Sequence, residues 1–126
     1  MIEDKVETML RQWEQSYKRG LLSFWILLLL NEREMYAYEM RDEIREMSLG
    51  VIVADDNSIY RALKRFAEAE LISSEKRPSD LGPPRRYFTL TGTGQELLAA
   101  FIRRNVLVFQ QPQVQKAIEN VIGRSA

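Results

Sequence analysis

The chain contains neither cysteine nor histidine. Without cysteine there are no disulfides and no thiolate chemistry, and without histidine the usual neutral-pH general base and the commonest transition-metal ligand are gone as well. A catalyst built from this sequence would have to run on carboxylates and lysines. No nucleophile and base pair, phosphate-binding loop or metal-ligand spacing is visible, so an enzyme is not expected, nor is a cofactor or a metal site. The longest apolar run, LLSFWILLLL from Leu21 to Leu30, has ten residues. A bilayer span needs about twenty, so no membrane segment is expected. The start, MIEDKVETML, is acidic and amphipathic, unlike a secretory leader. Together with the missing cysteines it suits a cytoplasmic protein.

Net charge is also absent, since 18 basic residues balance 18 acidic ones. The balance conceals segregation. From Asn31 to Asp56 eight acidic residues stand against three arginines, whereas from Asn57 to Leu90 seven basic residues stand against four acidic ones. Positive charge is thus concentrated on one stretch, as a nucleic-acid footprint requires. At 126 residues the chain can bury one sizeable core, and it carries no internal repeat.

Within the basic stretch, Ile59, Leu63 and Phe66 fall on one face of a helix, with Ala62 and Ala67 at its edges. Asn57, Arg61, Lys64 and Arg65 fall on the other, and these are side chains that reach phosphates and base edges. Asp55 or Asp56 is expected to cap the helix; the competing reading of this acidic pair is a catalytic or metal site. After Leu71 the pattern becomes extended, from Ile72 to Arg77, then turn-rich through PSDLGPP, then extended again from Arg85 to Leu90. It reads as a hairpin with a long, proline-stiffened loop. Lys76, Arg77, Arg85 and Arg86 crowd around that loop, where a protruding wing would meet a sugar-phosphate backbone. The plainer account is a hairpin made basic for solubility. A cationic helix followed at once by a cationic hairpin is the order of parts in a winged helix.

The remaining segments read as helices. Ile2, Val6, Met9, Trp13 and Tyr17 form an apolar stripe that Gly20 is expected to interrupt, and such a stripe calls for cover, by its own domain or by a second subunit. Leu21 to Leu30, apolar all round, should be the central buried helix. Tyr36, Met40, Ile44 and Met47 share one side of a helix over residues 36–47. Residues 90–98, LTGTGQELL, open another, with Thr91 or Thr93 as cap and a possible capping box between Thr93 and Glu96. Its apolar face continues through Leu97, Leu98, Phe101, Ile102, Asn105, Val108 and Phe109 until Pro112 stops it. A last short helix, with Val114, Ile118, Val121 and Ile122 on its apolar side, should end near Gly123. The expected fold is mainly α with a small β-hairpin wing: a winged helix-turn-helix with extra N- and C-terminal helices. Its divisions are a helical extension over 1–19, a winged-helix domain over 20–92 and C-terminal helices over 93–126.

From Gly20 to Leu98 the chain resembles the PadR-type transcriptional regulators, on the strength of LLSFWILLLL, YAYEM, NSIYRALKRFAEAELI and GPPRRYFTLTGTG. The resemblance implies a winged helix that dimerises through terminal helices and represses transcription at operator DNA. It would make Asn57, Ser58, Tyr60, Arg61, Lys64 and Arg65 contacts of the recognition helix, and Arg85 and Arg86 contacts of the wing. Two positions depart from the family's usual glycines: Ala37 before Tyr38, and Glu70 before Leu71. The layout, with a long N-terminal helix and little chain after the wing, is also similar to a cyanobacterial member that represses a clock gene. The function expected is therefore sequence-specific binding of double-stranded promoter DNA by a homodimeric repressor. Two alternatives stand beside it. One is a winged-helix protein-interaction module that never touches DNA. The other is a ligand-responsive repressor in which Trp13, Tyr17, Trp25, Phe101 and Phe109 line an apolar space between subunits.

Overall fold

A computed structural model describes residues 2–125, in two compact units parted between Gln95 and Glu96. The first unit begins with α1 (Ile2–Glu32), a single helix of 31 residues. The break expected at Gly20 does not occur. One glycine inside a helix costs only about 1 kcal/mol, and strong helix formers surround it. Its site is open, since a Cβ there would meet nothing within 4 Å. Beyond Gly20, Ile26, Leu27, Leu29 and Leu30 are buried, as the all-apolar run predicts.

A two-residue strand, β1 (Met35–Tyr36), leads into α2 (Ala37–Met47) and α3 (Asp56–Glu68). Tyr36 therefore precedes α2 in extended backbone, where sequence spacing had placed it on the helix, and Met47 is exposed. Glu39 accepts the Tyr36 N–H at 3.2 Å, which organises the first turn of α2. In the link to α3, Ser48 Oγ accepts the Ile52 N–H at 3.0 Å. Met35, Met40, Ile44 and Ile59 are each less than 2% exposed, so β1, α2 and α3 share a core with Ile26 and Leu29 of α1.

Next come β2 (Ile72–Ser79) and β3 (Gly82–Leu90), and with β1 they form an antiparallel sheet in the order β1-β3-β2. The hairpin tip is tighter than the long loop expected. Ser79 pairs with Gly82, leaving only Asp80 and Leu81 in the turn. The prolines fit because none has to donate to a ladder. Pro78 sits at the register shift between Arg77 and Ser79, and Pro83 and Pro84 lie beyond the reach of β1, which pairs only with Tyr87 and Phe88.

Helix α4 (Gly92–Phe101) starts behind Thr91, whose Oγ1 accepts the Gly94 N–H at 3.1 Å. The C-terminal unit does not carry one helix up to Pro112. A π turn (Ile102–Val106) and a 3-10 turn (Leu107–Gln110) follow α4, and Pro112 opens α5 (Pro112–Ser125). Proline suits that first helical position because its missing N–H would have no partner there. Helix α5 continues through Gly123. Among the described residues, Val6, Met9, Trp13 and Tyr17 on α1 are exposed, and so are Ile118 and Val121 on α5. The Ile2 side chain, also read as part of the α1 stripe, lies outside the described residues.

Candidate nucleic-acid interface

Helix α3 divides along its axis as the periodicity requires. Ile59, Ala62, Leu63 and Phe66 are buried, while Asn57, Tyr60, Arg61, Lys64 and Arg65 are exposed and Ser58 is half-buried. The helix is started by Asp55, whose carboxylate accepts the Ser58 N–H at 2.7 Å. That backbone donor, then the Ser58 hydroxyl and the nearby Arg61 charge, hold the Asp55 carboxyl below its ordinary pKa. Capping is thus the role of Asp55, the first member of this acidic pair. Its second member, Asp56, accepts from Arg41 Nη1 at 3.4 Å and so ties α3 to α2. Arg61 Nη2 leans back on Ser58 Oγ at 3.3 Å. Among the described residues, Arg61, Lys64 and Arg65 have no carboxylate within ion-pair distance.

The four basic residues of the wing separate into two pairs. Strand alternation puts Lys76 and Arg86, directly opposite each other, on the face that begins with buried Ile72, and Arg77 and Arg85 on the reverse face. On that reverse face the guanidinium of Arg85 lies 4.5 Å from the Tyr36 ring centroid, and that of Arg77 lies 4.7 Å from the Tyr87 ring. The two tyrosine rings meet edge to face at 5.5 Å. An unbroken stack therefore binds β1 to the wing. Arg77 is further engaged by both oxygens of Glu34, just past the end of α1, and by Glu75 at 3.2 Å. The bond from Arg77 lowers the pKa of Glu34, and the two carboxylates make Arg77 still harder to deprotonate. Expected from the sequence as a phosphate contact, Arg77 is held internally. Glu34 could not be found as its partner by local pattern. Arg86 keeps a lighter tie, donating to Ser74 Oγ at 2.9 Å.

Helix α3 and the wing open onto a common concavity of about 540 Å³. Tyr60 from α3 and Pro83, Pro84, Arg85 and Arg86 from β3 line it, and so does Tyr38 from α2. The structure thus brings together Tyr60, Arg85 and Arg86 of the residues read from the sequence, and adds Tyr38, which that reading missed. The only sequence signal was its place in YAYEM. No carboxylate lines this space. Among the described residues no group of three or more potential ligands is placed to hold a metal ion, and no helix is long and apolar enough to cross a membrane.

The profile of the PadR-like transcriptional regulator family matches residues 26–100. The crystal structure of a PadR family regulator from Eggerthella lenta superposes with a TM-score of 0.70 at 23% identity, covering 94% of this chain and 96% of that one. Bacillus subtilis PadR, solved in complex with operator DNA, superposes with a TM-score of 0.61 at 23% identity, over 65% of this chain and 46% of that one. In sequence, an uncharacterised protein of Lysinibacillus sphaericus is 26% identical over 85 residues, 68% of this chain and 78% of the relative. With the family profile spanning more than half of its length and the winged helix-turn-helix in place, this chain belongs to the PadR-like family of transcription factors, which are not enzymes.

Proposed function

We propose that the protein binds operator DNA as a homodimer and represses transcription by occupying a promoter. The observation that carries this reading is the shared concavity, which Tyr60 of α3 lines together with Arg85 and Arg86 of the wing and in whose lining no acidic residue stands among the described residues. Helix α3 enters a major groove. Asn57 and Arg61 read base edges, while Ser58, Tyr60, Lys64 and Arg65 contact the backbone. Lys76, Arg85 and Arg86 meet flanking phosphates, and Arg77 positions the wing. The capture of B. subtilis PadR on operator DNA supports the assignment.

The exposed apolar stripe of α1, Val6, Met9, Trp13 and Tyr17, supports a second copy as its cover. Two copies present two recognition helices to successive grooves, the arrangement that reads a palindromic operator. A clock-gene promoter is one operator brought forward by the sequence layout, although the interface geometry itself selects none. The site of action is the cytoplasmic compartment that holds the DNA.

The test is selection of bound fragments from genomic DNA, followed by affinity measurements across salt concentrations. Lys64→Ala with Arg86→Ala leaves the fold intact and reduces the slope of log affinity against log salt by about 2, close to one for each cationic side chain taken off the phosphates. Failure to recover any DNA, with a protein captured in its place, would establish the interaction-module reading that the neutral total charge and acidic α2 favour.

A further inference from the structure

Tyr38 occupies the second position of α2 and leaves 63% of its surface in water. Tyr60 of α3 is 55% exposed. Both line the concavity between α3 and the wing, so their aromatic surface is gathered at one place. Exposed tyrosines in a shared hollow are suited to contact, because each offers a flat apolar ring at small entropic cost and a hydroxyl donor at its tip. The rigid apolar rings of Pro83 and Pro84 and the basic residue Arg86 line the same space.

Apolar walls, hydroxyl donors and one edge of positive charge match the chemistry of a sugar-phosphate strand, with its carbon-rich deoxyribose and anionic oxygens. They do not match a base edge, which is read through paired donors and acceptors. Among the described residues no carboxylate lines the space, so its wall presents no anion to a phosphate. We infer that this concavity seats the DNA strand running between the groove entered by α3 and the groove met by the wing. Tyr38 Oη donates to a phosphate oxygen of that strand, and the Tyr60 ring packs on the adjoining deoxyribose. This assignment rests on the DNA-binding reading and extends it to an uncharged residue. A phenol displaces no counterion, so Tyr38 adds affinity without adding salt dependence.

The full-length chain is tested on a fragment selected by the unaltered protein. Tyr38→Phe removes only the hydroxyl from a largely exposed ring, and thermal melting confirms that the fold is kept. The variant should bind roughly five to ten times more weakly, equally on the selected fragment and on unrelated DNA, because a phosphate contact carries no sequence information. Its salt slope should match the unaltered protein, and ethylation interference should vanish at one phosphate per half-site. Unchanged affinity, a loss confined to the selected sequence, or an interference pattern identical to that of the unaltered protein each overturn the assignment. An unaltered protein that binds no DNA overturns it too, but by defeating the operator-binding reading itself, so the two failures are told apart by the control.

Discussion

Glu34 and Arg77, 43 positions apart, are joined by two parallel hydrogen bonds, the second of 2.8 Å, that fasten the wing to the end of α1. This is the planar fork geometry in which a carboxylate best receives an arginine. Because both groups remain partly exposed, solvent screens the pair. Its effect lies less in global stability than in where the hairpin points, since the Arg77 guanidinium also covers Tyr87 and so connects with Tyr36 and Arg85.

Arg77 and Arg86 should therefore differ as sites of substitution, although both are arginines of one hairpin. Arg86→Ala removes a phosphate ligand and lowers the slope of log affinity against log salt by about 0.9. Arg77→Ala weakens binding by loosening the wing while leaving that slope unchanged, and footprinting shows reduced protection at the flanks only. Titrations at four salt concentrations decide the matter, and equal slopes for the two variants would return Arg77 to the set of direct contacts.

Acid should act on the same ion pair and on the α3 cap. Glu34 is depressed mainly by its bonds from Arg77, and Asp55 mainly by the Ser58 N–H. A carboxylate with a lowered folded-state pKa contributes stability that is complete above its unfolded value, about 4, and is lost as pH falls through the lower folded value. Glu34→Gln and Asp55→Ala are consequently less stable than the unaltered chain at pH 7, and the difference closes as the pH falls below the unfolded-state value and through the lower folded one. Urea midpoints measured from pH 7 to pH 2 check this. A gap that persists to the acid end would show that ionisation is not its cause.

Two turns predict opposite effects of glycine exchange. Glu70 holds φ at 61°, a conformation that costs a residue with a Cβ about 1 kcal/mol or more. Glu70→Gly should stabilise the chain by roughly 0.5 to 1 kcal/mol after the greater freedom of glycine in the unfolded state is allowed for. At Gly94 a Cβ would lie 2.1 Å from the Leu71 carbonyl oxygen and 2.7 Å from Leu90 Cδ1. That carbonyl is pinned by the Thr91 N–H at 3.0 Å and cannot retreat freely. Gly94→Ala should cost about 2 to 3 kcal/mol. Thermal melts of both variants that moved in the same direction would contradict the backbone argument.

Most helices were legible because a helix writes its buried face at every third or fourth position. The split of α3 into Ile59, Leu63 and Phe66 against Arg61, Lys64 and Arg65 follows from that spacing alone, whereas the sequence left the cap between Asp55 and Asp56 and the structure uses Asp55. Strand β1 was not legible, because two residues carry no period and Tyr36 looks equally good on a helix. The tight wing tip was hidden by prolines, which normally mark loops and are tolerated here at a register shift and along an unpaired stretch of β3. Gly20 misled for a related reason: its local penalty is small beside the burial of the apolar run that follows it.

What the amino-acid order determined unaided was the winged-helix class, the polar side of α3 and the concentration of positive charge after Asn57, since each arises among neighbours in the chain. What only the tertiary structure decided was the use of those charges. Glu34 takes Arg77, the Tyr36 ring takes one side of Arg85, and Arg86 lines one concavity with Tyr38 and Tyr60. The reason is the short reach of hydrogen bonds and ion pairs, which depend on separations of a few ångströms between groups that the sequence places tens of residues apart.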